Sequence, residues 1–371
     1  MTGLNNGNAQ RGRNNTIKYI SWNTKGVNNP VKRKRVLTHL KGLNANIAFL
    51  QETHLRTGEH FRMRKDWVGQ VFHSNFHSKS RGAAILVDKA TPFVASEVIA
   101  DPKGRYVIVT GELFSTPLVL ASVYAPNWDD TSFISSFLSA IPNLDSHLLI
   151  LGGDFNCKMS PVLDKSSQTN TGPSKCALLI QSFLQKYAMF EAWRFLHPTD
   201  RQYSFYSHVH QTYSRIDYFF LDKKLLPNLR QCTYESIVIS DHSPLVLELE
   251  FPQRPPRCYQ WRLNPILLSD KEFVNFISSE ITLFLETNST PGMSCSTIWE
   301  SLKAYLRGQI ISYTANQNRV RSQRLRDLSE SIATLDEKYA TDPSSDLHKE
   351  RQLLQSEFDE LSTRQAEQLL L

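Results

Sequence analysis

HLLILGGDFN, residues 147–156, decides how this chain reads. Four consecutive apolar residues, Leu148 to Leu151, run into Gly152-Gly153 and stop at Asp154 and Asn156. A short apolar run without polar alternation is a strand buried on both faces, and Gly, Asp and Asn end it. The polar residues therefore stand at the rim of a buried sheet. The pattern recurs along the chain. IKYISW (17–22) is followed by Asn23, NIAFLQ (46–51) by Glu52, and PLVLASVY (117–124) closes on Tyr124. RIDYFFL (215–221) carries Asp217 inside it, and Asp241-His242 precede PLVLELEF (244–251). AAILVD (83–88), RYVIVTGEL (105–113) and YSFYS (203–207) complete a set of strand-like runs rich in β-branched and aromatic residues.

Helix-like segments at 30–42, 131–140 and 174–188 alternate with these strands. Asn29-Pro30 suits a helix start, and Val36, Leu37 and Leu40 supply an apolar stripe. The alternation predicts a layered α/β domain over residues 16–251. So many strands exceed one ordinary open sheet, which favours two packed sheets. Residues 1–15 read as a flexible tail, and PQRPPRCYQWRLNP (252–265) as a stiff Pro-rich linker. Residues 266–371 form an α-helical extension, with helices expected at 271–287, 297–340 and 346–371. Leu328, Ile332 and Leu335 recur at helical spacing, as do Leu354, Phe358 and Leu361, which predicts an antiparallel helical hairpin or short coiled coil.

Composition narrows the class. The chain has 371 residues, 40% hydrophobic and 21% charged, which is globular and neither disordered nor collagenous. It has no apolar run of about 18 residues to span a membrane, and its polar start lacks a secretory h-region. Intracellular residence, in nucleus and cytoplasm, is the expectation. Five scattered cysteines without a C-x-x-C pair argue against a disulfide framework or structural zinc. Residues 252–371 hold 14 Lys+Arg and 16 Asp+Glu, so the net +6 (42 against 36) leaves 28 against 20, or +8, on residues 1–251. A basic first part suits a polyanionic partner.

Polar residues gathered at strand ends suggest a site, because loops converge at one rim of such folds. Carboxylates with an Asn and a His make a hard-oxygen metal site with an acid/base partner, better suited to Mg²⁺ than to zinc. That chemistry suits phosphate-ester hydrolysis. Taken singly, each motif has a plainer reading. Gly153-Asp154-Phe155-Asn156 makes a good turn, Asp241-His242-Ser243-Pro244 an ordinary loop, and Gln51-Glu52-Thr53 a solvated edge.

Taken together, Ser21-Trp22-Asn23, Gln51-Glu52-Thr53, Tyr124-Ala125-Pro126, Gly152 to Asn156, Ser214 to Tyr218 and Ser240 to Ser243 occur in one order over residues 16–251. This set resembles the endonuclease/exonuclease/phosphatase superfamily, which includes DNase I, exonuclease III and the apurinic/apyrimidinic endonucleases. Gln51-Glu52-Thr53-His54-Leu55, Thr212 to Asp217 and Arg307 to Tyr313 are similar to the LINE-1-type retrotransposon branch. The chain lacks a Tyr-x-Asp-Asp motif and stops on Leu369-Leu370-Leu371, so the resemblance implies truncation before a reverse transcriptase.

The resemblance implies a four-layer α/β sandwich of two facing mixed sheets flanked by helices. It implies Mg²⁺, with Mn²⁺ as a substitute, held by Glu52 with Asn23 and Asp241. Asp154 would activate water, Asn156 would hold that water or the phosphate, and Tyr124 would contact the phosphate or leaving group. His242 would stabilise developing charge, with Asp217 fixing its tautomer. The product would be a nick with 3′-hydroxyl and 5′-phosphate ends, which in such elements primes reverse transcription. Lys25 and Lys165 depart from the family pattern and are expected on DNA phosphates, Lys165 without the bidentate contacts of an Arg. Ser204, His208, His210 and Arg215 are further expected DNA contacts, with Tyr203–Tyr213 a hairpin probing flexible, A/T-rich double-stranded DNA. In that hairpin Tyr203, Phe205 and Tyr213 are expected to face the core. His54, His73 and His77 read as surface. The extension carries no catalytic signal and is a candidate contact for RNA or for the missing polymerase, or has no role; its net charge of −2 argues against strong nucleic-acid binding, although Arg319, Arg321, Arg324 and Arg326 form a local basic stripe. An abasic-site repair endonuclease or 3′–5′ exonuclease is the alternative enzyme, and a non-catalytic nucleic-acid-binding remnant the alternative of another class.

Overall fold

A computed structural model describes residues 16–167, 172–251, 263–288, 294–342 and 344–368. The expected tail 1–15 and most of the linker, 252–262, lie outside the described residues. Packing divides the described residues into two units, those of 16–29 and 36–251 and those of 30–35 and 263–368.

The first unit begins with β1 (Thr16–Asn23), the part of α1 (Pro30–Gly42) from Val36 onward, β2 (Ile47–Gln51), β3 (Val68–Ser74) and β4 (Ala83–Asp88). β5 (Phe93–Ala100), β6 (Tyr106–Leu113), β7 (Thr116–Tyr124), α2 (Thr131–Ser139), β8 (Leu148–Asp154) and α3 (Lys175–Lys186) follow. Then come β9 (Met189–Glu191), α4 (Ala192–Leu196), β10 (Phe205–Ser207), β11 (Thr212–Ser214), β12 (Asp217–Asp222), β13 (Leu229–Tyr234) and β14 (Leu245–Glu250). One sheet has the order β13-β14-β1-β2-β4-β3, and the other β5-β6-β7-β8-β12-β9. β1–β2 and β7–β8 are parallel pairs among antiparallel ones, so both sheets are mixed. β10 and β11 form a separate hairpin.

Strict alternation builds three cores. Tyr19, Phe49 and Ile85 of one sheet meet Leu120, Ile150 and Phe219 of the other, with Phe49 edge-on to Phe219 at 5.5 Å. The opposite face of the first sheet (Trp22, Leu50, Leu86) covers Val36, Leu37 and Leu40 of α1. The outer face of the second (Leu149, Leu151, Phe220) covers Ile134 and Phe137 of α2 and Ile180 of α3. Each such buried side chain stabilises the fold by roughly 1.5–3 kcal/mol. The result is the expected four layers. Asp130 caps α2 by accepting from the Phe133 N–H, and Ser174 caps α3 by accepting from the Ala177 N–H. The double glycine is now explained. A Cβ on Gly153 would lie 2.0 Å from the Val123 carbonyl oxygen, and one on Gly152 would lie 2.5 Å from the Phe219 ring.

The second unit carries α5 (Lys271–Asn288), α6 (Cys295–Thr341) and α7 (Ser345–Gln368). Leu328, Ile332 and Leu335 of α6 and Phe358 of α7 are buried. Asp336 pairs with Arg351, and Arg324 with Glu357, which fixes α6 and α7 as an antiparallel hairpin. Among the described residues no helix is long and apolar enough to cross a membrane.

Candidate active site

The sheets deliver the polar strand ends to one mouth. Asn23 is level with Gln51 across β1–β2, and Tyr124 with Asp154 across β7–β8. Asp217 faces the same Asp154 across β8–β12. One Asn23 amide group donates to Glu52 Oε1 and to Asp154 Oδ2, both at 2.9 Å, tying the two sheets together at the site. His242 Nδ1–H donates to Asp217 Oδ2 at 2.8 Å, and its Nε2 lies 3.8 Å from Asp154 Oδ2. The Trp22 indole N–H fixes the His242 carbonyl at 2.9 Å, and the Phe205 ring packs 4.7 Å from the imidazole. Six of the eight residues expected to be catalytic or metal-binding thus form one connected cluster: Asn23, Glu52, Tyr124, Asp154, Asp217 and His242.

Burial sets the electrostatics. It pushes the Glu52 carboxyl up, but hydrogen bonds from His54, Asn23 and the Tyr124 hydroxyl outweigh it and hold the group at about 2. Burial and the neighbouring Asp217 charge push the Asp154 carboxyl well above the usual range, opposed by His242. Burial lowers His242, but Asp217 and Asp154 together raise it to about 9. Burial and the Glu52 and Asp154 charges raise the Tyr124 phenol. The donors at the mouth fit a hard divalent cation. Glu52 remains anionic beside the Asn23 amide, and Asp217 Oδ1 is buried without a hydrogen-bond partner.

The other two expected residues sit differently. Asn156 donates its amide to the Ala125 carbonyl at 2.9 Å, and its N–H donates to Asp154 Oδ1 at 3.0 Å, so it braces the loop behind Asp154. Asp241 accepts from the Lys25 ammonium at 2.6 Å and lies outside the Asp154–Asp217–His242 cluster. Lys25, Glu52, His54 and Asn156 all have positive φ, at 47°, 50°, 54° and 50°. Each costs about 1–3 kcal/mol, and such strain gathers where a loop must aim a functional side chain.

Two expected DNA contacts are corrected. Arg215 is fully buried, its Nε–H donating to Asp164 Oδ1 at 2.8 Å and its Nη2–H to Glu191 Oε2 at 3.0 Å. Its guanidinium also lies over Trp193 and Tyr218. Its guanidinium is spent on this buried network and is not on the surface. Ser204 is also buried, its hydroxyl accepting from the N–H groups of Ile216 and Asp217, so it positions Asp217. His208 and His210 do lie exposed at the β10–β11 tip, and Lys165 is half-buried and bridged to Ser214. In the hairpin the buried rings are Tyr206 and Tyr213, paired across the strands, while Tyr203 and Phe205 are half-buried. His54 is no surface residue, since its Nε2–H donates to Glu52 Oε2 at 3.1 Å. The one signal for it was its place two residues after Glu52. His73 is likewise half-buried, stacked on His60 at 3.8 Å.

Two facing mixed sheets with a carboxylate–amide–imidazole cluster at their shared mouth define a phosphoesterase-type architecture. Residues 20–242 match the model of the Endonuclease/Exonuclease/phosphatase family, and the chain belongs to that family. The chain is 26% identical over 269 residues to the Transposon TX1 uncharacterized 149 kDa protein of Xenopus laevis, covering 70% of this chain and 20% of that protein. It is 23% identical over 326 residues to the RNA-directed DNA polymerase from mobile element jockey of Drosophila funebris, covering 86% and 33%. The chain thus spans about a fifth and a third of these relatives' lengths. The crystal structure of AP endonuclease LMAP from Leishmania major has the same fold, with a TM-score of 0.55 at 18% identity over 64% of this chain and 88% of that one.

Proposed function

We propose that this chain is a divalent-metal-dependent DNA endonuclease of retrotransposon type, nicking one strand to leave 3′-hydroxyl and 5′-phosphate ends. The observation that carries the reading is the hydrogen-bonded line Glu52–Asn23–Asp154 facing the Asp217–His242 pair. Asp154, raised by burial, orients and deprotonates the attacking water. His242, held protonated at Nδ1 by Asp217, presents Nε2 to the phosphoryl oxygens as charge develops on them. Tyr124, hydrogen-bonded to Glu52, faces the phosphate beside the leaving 3′-oxygen. Asn156 keeps the Asp154 loop in place. Glu52 and Asn23, with Asp241 at the rim, would hold Mg²⁺ or Mn²⁺, which when bound neutralises phosphate charge.

Double-stranded DNA is the substrate this reading requires. The exposed hairpin tip at His208 and His210 supports contact with a flexible, A/T-rich groove. Similarity to a transposon protein and a mobile-element polymerase supports retrotransposon origin and a role in priming reverse transcription. Exposed Arg319 and Arg326 on α6 support RNA contact by the extension. The test is nicking of supercoiled plasmid with Mg²⁺, followed by end mapping. Nicks with 3′-hydroxyl ends on intact DNA are expected. Cutting confined to abasic duplex would assign the repair activity instead, and salt-sensitive binding without any nick would overturn catalysis.

A further inference from the structure

Lys25 stands in the turn that follows β1, two residues after Asn23. Its N–H donates to Asn23 Oδ1 at 3.1 Å, and its φ of 47° lies in the left-handed region. Gly26, with a φ of 90°, donates its N–H to the Glu52 carbonyl at 2.7 Å. A Cβ on Gly26 would lie 2.8 Å from His54 Nδ1, so the turn closes on the Glu52–His54 loop with no room for a side chain there. From this fixed turn the Lys25 ammonium reaches Asp241 Oδ2 at 2.6 Å, 216 residues further along the chain. Asp241 Oδ1 accepts from the Ser240 hydroxyl at 3.3 Å, and the Tyr206 N–H holds the Asp241 carbonyl at 3.2 Å. Both carboxylate oxygens are thus engaged within the protein.

A surface ion pair usually adds little to stability. The interest of this one is its charge. The Lys25 side chain is 57% exposed, but that of Asp241 only 16%, and Asp241 directly precedes His242 at the rim where Glu52 stays anionic. The affinity of a hard cation for an oxygen site follows the number of charged ligands it can use. An ammonium on one of the two carboxylates assigned to the metal lowers that number and sets a like charge beside the cation. Resting on the function proposed above and narrowing the part it gives Asp241, we infer that Lys25 is a tethered counter-ion that withholds Asp241 from the divalent cation. The cation is then held on the Glu52–Asn23 side of the mouth, and Lys25 sets how tightly.

The test titrates Mn²⁺ into the full chain without DNA and reads the free ion by electron paramagnetic resonance. Lys25→Met should bind Mn²⁺ about tenfold more tightly than the unaltered chain, and Lys25→Arg should match the unaltered chain. Asp241→Asn alone should change the affinity by less than about threefold, whereas in the Lys25→Met background it should cancel the gain. Equal affinity in Lys25→Met and the unaltered chain, or a loss of about tenfold in Asp241→Asn alone, would overturn the counter-ion role. Weaker DNA binding by Lys25→Met at unchanged Mn²⁺ affinity would make the lysine a phosphate contact and overturn it as well. Plasmid nicking by the same preparations keeps the two claims apart. Nicking by the unaltered chain upholds the endonuclease reading whichever way the affinities fall, and its absence refutes that reading while the Mn²⁺ comparison still decides on Lys25. Should Asp241→Asn fail to accumulate, Lys25→Met against Lys25→Arg decides alone, because both alter only an exposed side chain.

Discussion

Replacing Arg215 by Ala separates a structural role from a DNA contact. The guanidinium is fully buried, bridges Asp164 and Glu191, and sits between Trp193 and Tyr218. Removing one partner of a buried ion pair costs about 3–5 kcal/mol, because the remaining charge is left in low dielectric. Here each carboxylate keeps another donor. Asp164 retains Arg194 at 2.8 Å and the Ser160 N–H at 2.7 Å, and Glu191 retains the Arg194 N–H at 3.2 Å. The loss therefore falls at the low end, about 3 kcal/mol. In a unit of this size that lowers Tm by about 6–12 °C. Thermal unfolding by circular dichroism measures it, and Arg215→Lys, which cannot span both carboxylates, should fall between. A surface phosphate contact predicts the reverse, with unchanged Tm and a salt slope of DNA binding reduced by about one. That result would refute the buried-network argument.

Three further outcomes are expected. Asp217→Asn, which keeps the shape but no longer enforces His242 Nδ1–H, should lower kcat about a thousandfold with a much smaller change in KM; steady-state nicking of a labelled oligonucleotide duplex reads both. EDTA should abolish nicking and added Mg²⁺ restore it, while fluorescence anisotropy shows DNA still bound in the chelator. Burial, and then the charge of His60, hold His73 at about 4, below the ordinary 6.5. The unfolded chain therefore takes up that proton first, so stability is intact above about pH 6.5 and falls toward pH 4. After discounting for partial exposure the loss is about 1–2 kcal/mol, and urea midpoints of His73→Asn across that range should lack it.

The buried strands were readable because both of their faces are covered, so their sequences are nearly continuous apolar runs. The four strands missed in the sequence, β3, β5, β9 and β13, are the four sheet edges. An edge strand faces solvent and mixes polar residues freely, as SEV in β5 and RQ in β13 do, which erases the periodic signal. The site was readable for a related reason, since a charged residue that ends an apolar run has few structural reasons to be there. What the sequence hides is direction. Arg215 sits two residues before Asp217 and looks like a surface cation, and only the packing of Trp193 and Asp164 turns it inward. His54 stands in a loop whose positive φ values aim it back at Glu52, a conformation that no local propensity announces.

The most direct measurement is the nicking rate of Asp154→Ala, His242→Ala and the double variant, each first shown to be folded by its melting transition. In the proposed mechanism both residues work at one phosphorus, so each single variant should lose nearly all activity and the double should be no slower than the worse single. Near-normal nicking by either single variant, or losses that multiply in the double, would contradict a single centre built from these two side chains.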